Sequence, residues 1–220
     1  MTTRPLAPRR LLGAALLLAL AGCSLLGDKP KERSTIYAPD PRVQADPSWP
    51  QASWQLSLTP PSAARMIDSL RIAVRPTPNE LQVYKGANWA KPPGEMLQDA
   101  LLRALEDSGR IGAVARQGSG IAADYKLVLD LRRFESDYAG EELPSATIEV
   151  SAKLLHSSDQ RIAAARTFVQ RQRATSTAVP DVVNAFDGAL SALTRDMGGW
   201  ILSSGNEHER SEHSRPAARR

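Results

Sequence analysis

From Asp124 to Arg132, Tyr125, Leu127, Leu129 and Leu131 fall on one side of an extended chain, and Lys126, Asp130 and Arg132 fall on the other. This period of two predicts a strand with one dry face. Ser145 to Leu155 repeats it, setting Ala146, Ile148, Val150, Ala152 and Leu154 opposite Thr147, Glu149, Ser151 and Lys153. Ser157-Ser158-Asp159-Gln160 then predicts a turn into a further strand, Arg161 to Arg171, whose alternation is blurred by Ala163, Ala164 and Ala165; the pair reads as a hairpin. Ser69 to Arg75 carries Leu70, Ile72 and Val74. Short strands near Trp54 to Leu58, Leu81 to Tyr84 and Ile111 to Arg116 complete a mixed sheet with one wet face.

Two stretches change to a helical period. The first opens at Pro92-Pro93, where a fixed φ suits a first turn, and closes at Ser108-Gly109, where glycine can take the left-handed cap. Leu97, Ala100, Leu101, Ala104 and Leu105 form its apolar stripe. The second starts at Pro180-Asp181, with an acidic first turn that suits the helix dipole. Val182, Val183, Phe186, Ala189, Leu190, Leu193, Met197, Trp200 and Ile201 recur along it at helical spacing. Gly198-Gly199 weakens its last turn, and Ser203-Ser204-Gly205-Asn206 is expected to end it. Two amphipathic helices and one dry sheet face predict an α/β (α+β) two-layer sandwich, with a mixed, largely antiparallel sheet and both helices on one face.

The chain ends look different. Arg4, Arg9 and Arg10 precede the apolar run Leu11 to Leu20, which is short for a bilayer span and reads as a secretory signal. Leu20-Ala21-Gly22-Cys23 resembles the lipobox of bacterial lipoproteins, in which cleavage falls between Gly22 and Cys23 and the cysteine carries a diacylglycerol and an N-acyl chain. Cys23 is the only cysteine, so no intrachain disulfide accounts for its thiol. Three acyl chains would hold a membrane durably where one would not. Ser24 follows, not the Asp that resembles an inner-membrane retention signal, so the expected address is the outer membrane. The expected organisation is signal peptide over 1–22, lipidated tether over 23–48, one domain over 49–203 and a disordered tail over 204–220. Proline and charge in the 23–48 stretch suit a tether. The formal charge of +4 shrinks once Arg4, Arg9 and Arg10 leave, and Arg210, Arg215, Arg219 and Arg220 sit in the tail. No basic stripe remains for a phosphate backbone, so no nucleic-acid partner is expected.

Candidate chemistry is sparse. His156 stands beside a predicted turn with no Cys or second His at ligand spacing, and His208 and His213 are five apart where a zinc-protease helix needs four. Neither is assigned a metal. Gly118-Ser119-Gly120 lacks the Gly-Lys-Ser/Thr ending of a phosphate loop and the frame of a nucleophile elbow. Glu141-Glu142, before Pro144, reads as a solvated turn. No catalytic residue is expected, and a hydrolase ranks last. Tyr84 and Trp89, near Pro92 and Pro93, form an aromatic loop that either caps the core or contacts a partner.

Several stretches together resemble the ABC-type transport auxiliary lipoproteins that accompany MCE-type lipid transporters. They are Leu70-Arg71-Ile72-Ala73-Val74-Arg75-Pro76; Tyr84 with Trp89-Ala90 and Pro93; Met96-Leu97-Gln98 through Leu101 and Leu105 to Ser108-Gly109-Arg110 and Val114. Ala123-Asp124-Tyr125-Lys126-Leu127 with Leu131 and Phe134, then Phe186, Leu190 and Trp200, continue the match. The resemblance implies a noncatalytic outer-membrane subunit facing the periplasm, in a system moving phospholipid or other hydrophobic molecules between the two membranes. It implies an MCE-domain periplasmic protein as partner, with an inner-membrane permease and ATPase behind it, and no cofactor beyond the lipid on Cys23. A homo-oligomer stays open, as does a structural or envelope-assembly lipoprotein of another kind.

Overall fold

The computed structural model describes residues 34–213. Gly22 and Cys23, with the signal and lipobox, lie outside the described residues. The centre of the fold is the strand β7 (Tyr125–Asp137), the longest of the nine strands that form one mixed sheet among the described residues. One side of β7 pairs antiparallel along its whole length with β8 (Ser145–His156), which pairs antiparallel with β9 (Ile162–Arg173). The other side is shared by three shorter strands that run parallel to it in succession. These are β2 (Ala52–Leu58) at Tyr125 to Leu127, β3 (Ser62–Ala63) at Asp130 and Leu131, and β4 (Arg71–Arg75) at Ser136 and Asp137. Strand β6 (Ile111–Arg116) lies outside β2, while β5 (Gln82–Trp89) and then β1 (Thr35–Tyr37) lie outside β4. The β7–β8 and β8–β9 ladders are the longest, because hairpins keep these three strands adjacent in sequence and in space.

Tyr125, Leu127, Leu129 and Leu131 are buried, as are Ala146, Ile148, Val150, Ala152 and Leu154, so both alternating strands turn the expected face to the core. After Leu131 the register with β8 shifts by a bulge at Arg132. The inward positions become Phe134 and Ser136, and Glu135 moves to the opposite face. That face is not wholly wet: Glu135 and its ladder partner Thr147 are each 1% exposed.

Helix α1 (Pro93–Ser108) has the expected boundaries, with Pro93 in its first turn and Gly109 in the left-handed conformation at φ 58°. Its N-terminus has no local side-chain cap; the carboxylate of Asp68 accepts the Gly94 N–H at 2.8 Å from another part of the chain. Helix α2 (Val179–His213) buries Val182, Phe186, Leu190, Leu193, Met197 and Ile201 against α1, β8 and β9. Among the described residues no helix is long and apolar enough to cross a membrane.

Both expected ends of the domain move outward. Residues 34–48 were expected in a tether, yet β1 pairs with β5, Pro41 is buried, and Tyr37, Val43 and Ala45 pack on the core. The stretch is stabilised by tertiary contacts that its proline content does not exclude. Helix α2, expected to stop near Ser203 before a disordered tail, instead continues through Gly205 and Asn206 to His213. Its glycines are packing positions: a Cβ on Gly198 would lie 2.4 Å from the Trp49 ring, and one on Gly205 would lie 2.2 Å from that of Trp54. Asn206 accepts the Trp54 indole N–H at 2.9 Å and donates to the Gln51 carbonyl at 2.8 Å.

Gly205→Ala is therefore expected to destabilise. In a solvated helix the change gains up to about 1 kcal/mol, but here overpacking a ring already held by Asn206 costs about 1–3 kcal/mol. Urea unfolding should report a net loss. A variant more stable than the parent would mean that the end of α2 is solvated.

Candidate functional site

Where α2 passes the first residue of β7 and the last of β8, polar groups converge. The β7–β8 ladder places Tyr125 opposite His156, and the added turns of α2 bring His208 and Glu209 over them. The Tyr125 ring is buried, edge-on to Trp54 with centroids 5.0 Å apart. Its hydroxyl donates to Glu209 Oε1 at 2.7 Å and lies 2.8 Å from His208 Nδ1. A phenol has one proton; with that proton on the carboxylate, His208 Nδ1 is the donor and its Nε2 carries the lone pair.

His156 is oriented in the same way. Its Nδ1 lies 3.0 Å from Asp159 Oδ1, and a carboxylate only accepts, so the Nδ1 proton is committed there. The Ser158 hydroxyl runs along the ring edge, 3.2 Å from Nδ1 and 3.4 Å from Nε2. Asp159 is held below the ordinary carboxylate range by the Arg161 backbone N–H, against the effect of burial and with a contribution from His156. The two imidazole centroids are 4.8 Å apart. One ligand atom from each of His156, His208 and Glu209 lies within 4.8 Å of the other two, and all three residues are half-buried. The hairpin register could suggest the Tyr125 and His156 pairing; the arrival of His208 depends on the true length of α2, which has no local sequence signal.

The other residues singled out from sequence are placed differently. Trp89 is not on a loop: it ends β5, is 1% exposed, and stands edge-on to Phe134 and Phe186 at 5.9 and 5.2 Å. A partner cannot reach that ring in this fold, so Trp89 caps the core. Tyr84 is half-buried in the same strand, with its hydroxyl 2.9 Å from Ser136 Oγ. Burial pushes its phenol pKa up, more than the Ser136 hydrogen bond lowers it. Gly118-Ser119-Gly120 is an exposed turn with both glycines at positive φ, and Glu141 and Glu142 are exposed.

A groove of about 210 Å³ separates residues 38–41 from α1, with Lys91, Met96, Asp99 and Arg103 on its wall. That is below the roughly 300–1,000 Å³ of small-molecule sites. Burial would raise the Asp99 carboxyl, but hydrogen bonds from Lys91 and Arg116 outweigh it and hold the group low.

Comparison with known proteins sets this architecture in a wider group. The family described as ABC-type transport auxiliary lipoprotein component matches residues 35–198, from β1 deep into α2. The crystal structure of protein XCC0632 from Xanthomonas campestris is similar, with 57% identity and a TM-score of 0.78, covering 80% of this chain and 99% of that one. Another crystal structure, of an uncharacterised protein, shares the fold at 14% identity and a TM-score of 0.60, covering 77% of this chain and 99% of the other. An uncharacterised Bradyrhizobium diazoefficiens protein, bll6063, is 24% identical over 80% of this chain. The chain spans about half of that relative's length, 47%.

Proposed function

This chain belongs to the ABC-type transport auxiliary lipoprotein family, and from that premise we propose that it is a noncatalytic, lipid-anchored subunit of an MCE-type system moving phospholipid or other hydrophobic molecules between the inner and outer membranes. The anchor is the diacylglycerol and N-acyl lipid on Cys23, exposed by cleavage after Gly22, and the address is the outer membrane with the domain facing the periplasm. The domain holds an MCE-domain periplasmic protein near the outer membrane, and that protein in turn engages the inner-membrane permease and ATPase. Its chemistry in this role is binding and tethering.

The observation that carries this reading is the family match across residues 35–198, which takes in every strand of the described residues and most of α2. The lipobox-like Leu20-Ala21-Gly22-Cys23 adds the anchor. The test is to tag the chain in its own cells and crosslink. An MCE-domain protein is expected to co-purify with it, and Cys23→Ser is expected to release the chain from outer-membrane fractions. Recovery of no such protein, together with unchanged membrane lipid asymmetry after deletion, would overturn the reading. An intact mass beginning at a residue other than a lipid-modified Cys23 would overturn the anchor.

A further inference from the structure

We propose that His156, His208 and Glu209 form a zinc site that locks the end of α2 to the β8–β9 hairpin. Two imidazoles and one carboxylate are a donor set that suits zinc, with water left to complete a tetrahedron. The ligand atoms lie within 4.8 Å of one another. Zinc bonds of about 2.0–2.1 Å require separations of roughly 3.3 Å in a tetrahedron, so the ligand atoms draw together by up to about 1.5 Å when the ion binds.

The second observation is the orientation of the rings. Metal-bound histidines donate their other N–H to a carboxylate or a comparable acceptor, and this fixes the tautomer that coordinates. His156 donates Nδ1–H to Asp159, and His208 directs Nδ1 to the Tyr125 hydroxyl, so Nε2 is the nitrogen of each ring that can coordinate; the Ser158 hydroxyl, 3.4 Å from Nε2 of His156, yields that position to the ion. Tyr125 also holds Glu209 through Oε1 and thereby sets both α2 ligands from one buried anchor. A hydrogen-bonded latch would need only Tyr125 with His208 and Glu209; His156, fixed by Asp159 and tilted against the Tyr125 ring at 5.2 Å, sets a second imidazole beside them. Half-buried ligands leave a route for the ion from solvent.

The site joins residues far apart in sequence, so zinc would bind the folded chain in preference to the unfolded one and raise its stability. The test uses the full-length chain in detergent, stripped with a chelator and titrated with zinc alone and then with cobalt as a spectroscopic stand-in. The expected result is one ion per chain at micromolar or lower concentration, tetrahedral cobalt absorption in the visible, and a higher Tm with zinc. His156→Ala and His208→Ala should each weaken binding at least about 10-fold. Asp159→Asn, which keeps a side-chain oxygen for the Arg161 N–H, should weaken it by about 10-fold. His213→Ala should leave binding unaltered. Absence of a stoichiometric ion, or binding that survives His156→Ala or disappears with His213→Ala, would overturn the site and show either a hydrogen-bonded latch or tail binding. Either outcome leaves the transport reading intact, since that rests on crosslinking and lipid asymmetry.

Discussion

Trp89→Ala is expected to lower the unfolding free energy by about 3–5 kcal/mol, the range for removing a large aromatic from a core. The ring lies where β5 ends and meets a pair of stacked phenylalanines, Phe134 of β7 and Phe186 of α2, whose centroids are 4.8 Å apart. Its loss empties the junction of sheet and helix, and collapse of α2 into the gap is limited by the glycine contacts at Trp49 and Trp54. Trp89→Phe should cost far less. The indole N–H has no hydrogen-bond partner among the described residues, so the smaller ring removes an unsatisfied buried donor along with some volume. Urea denaturation of the two variants checks this. An alanine variant of parental stability that fails to capture its partner would restore Trp89 as a contact residue and contradict the burial.

Glu135→Ala is expected to cost about 3 kcal/mol, the lower end for breaking a buried ion pair by removing one partner. Glu135 receives Arg75 in two parallel bonds at 2.8 and 3.0 Å and Arg133 at 2.7 Å. The bond to Glu135 raises the Arg75 pKa above its usual value, against the effect of burial. The lower end applies because neither arginine is left wholly unpaired: Arg133 still reaches Asp137 at 2.6 Å and Arg75 still donates to the Pro78 carbonyl. The effect is local in origin. The ladder between β4 and β7 is two residue pairs long, Val74 with Ser136 and Arg75 with Asp137, and the Arg75 and Glu135 ion pair holds those strands together beyond it. Arg132→Ala serves as the control, since its exposed contacts with Asp130 and Glu149 should be worth less than about 1 kcal/mol. Equal losses from Glu135→Ala and Arg132→Ala in thermal unfolding would refute the buried network.

The elements whose patterns are local were legible. The alternation along 124–131 and 145–155 and the proline and glycine at the two ends of α1 each predict a structure that forms, because one face of each element must be dry. The bulge at Arg132 was not legible. A shift of one residue is set by what the neighbouring strands present, and the sequence of β7 continues without a glycine or proline to mark it. Strands β1 and β3 were missed for a related reason: they are two or three residues long and exist only because β5 and β7 offer free edges.

The end of α2 divides what chain chemistry decides from what packing decides. Ser203-Ser204-Gly205-Asn206 reads as a stop because small polar residues favour caps and turns in isolation. In the fold, Trp54 requires the glycine and bonds the asparagine, and those contacts outweigh weak local propensity. The sequence by itself determined which faces are apolar, where α1 begins and ends, and that Cys23 is the single thiol, since these depend on residues near one another in the chain. Only the tertiary structure decided that Trp89 is covered, that Glu135 is buried among arginines, and that His156 meets His208 and Glu209. Each of these depends on distances between segments far apart in sequence, which the register of β7 and the length of α2 set.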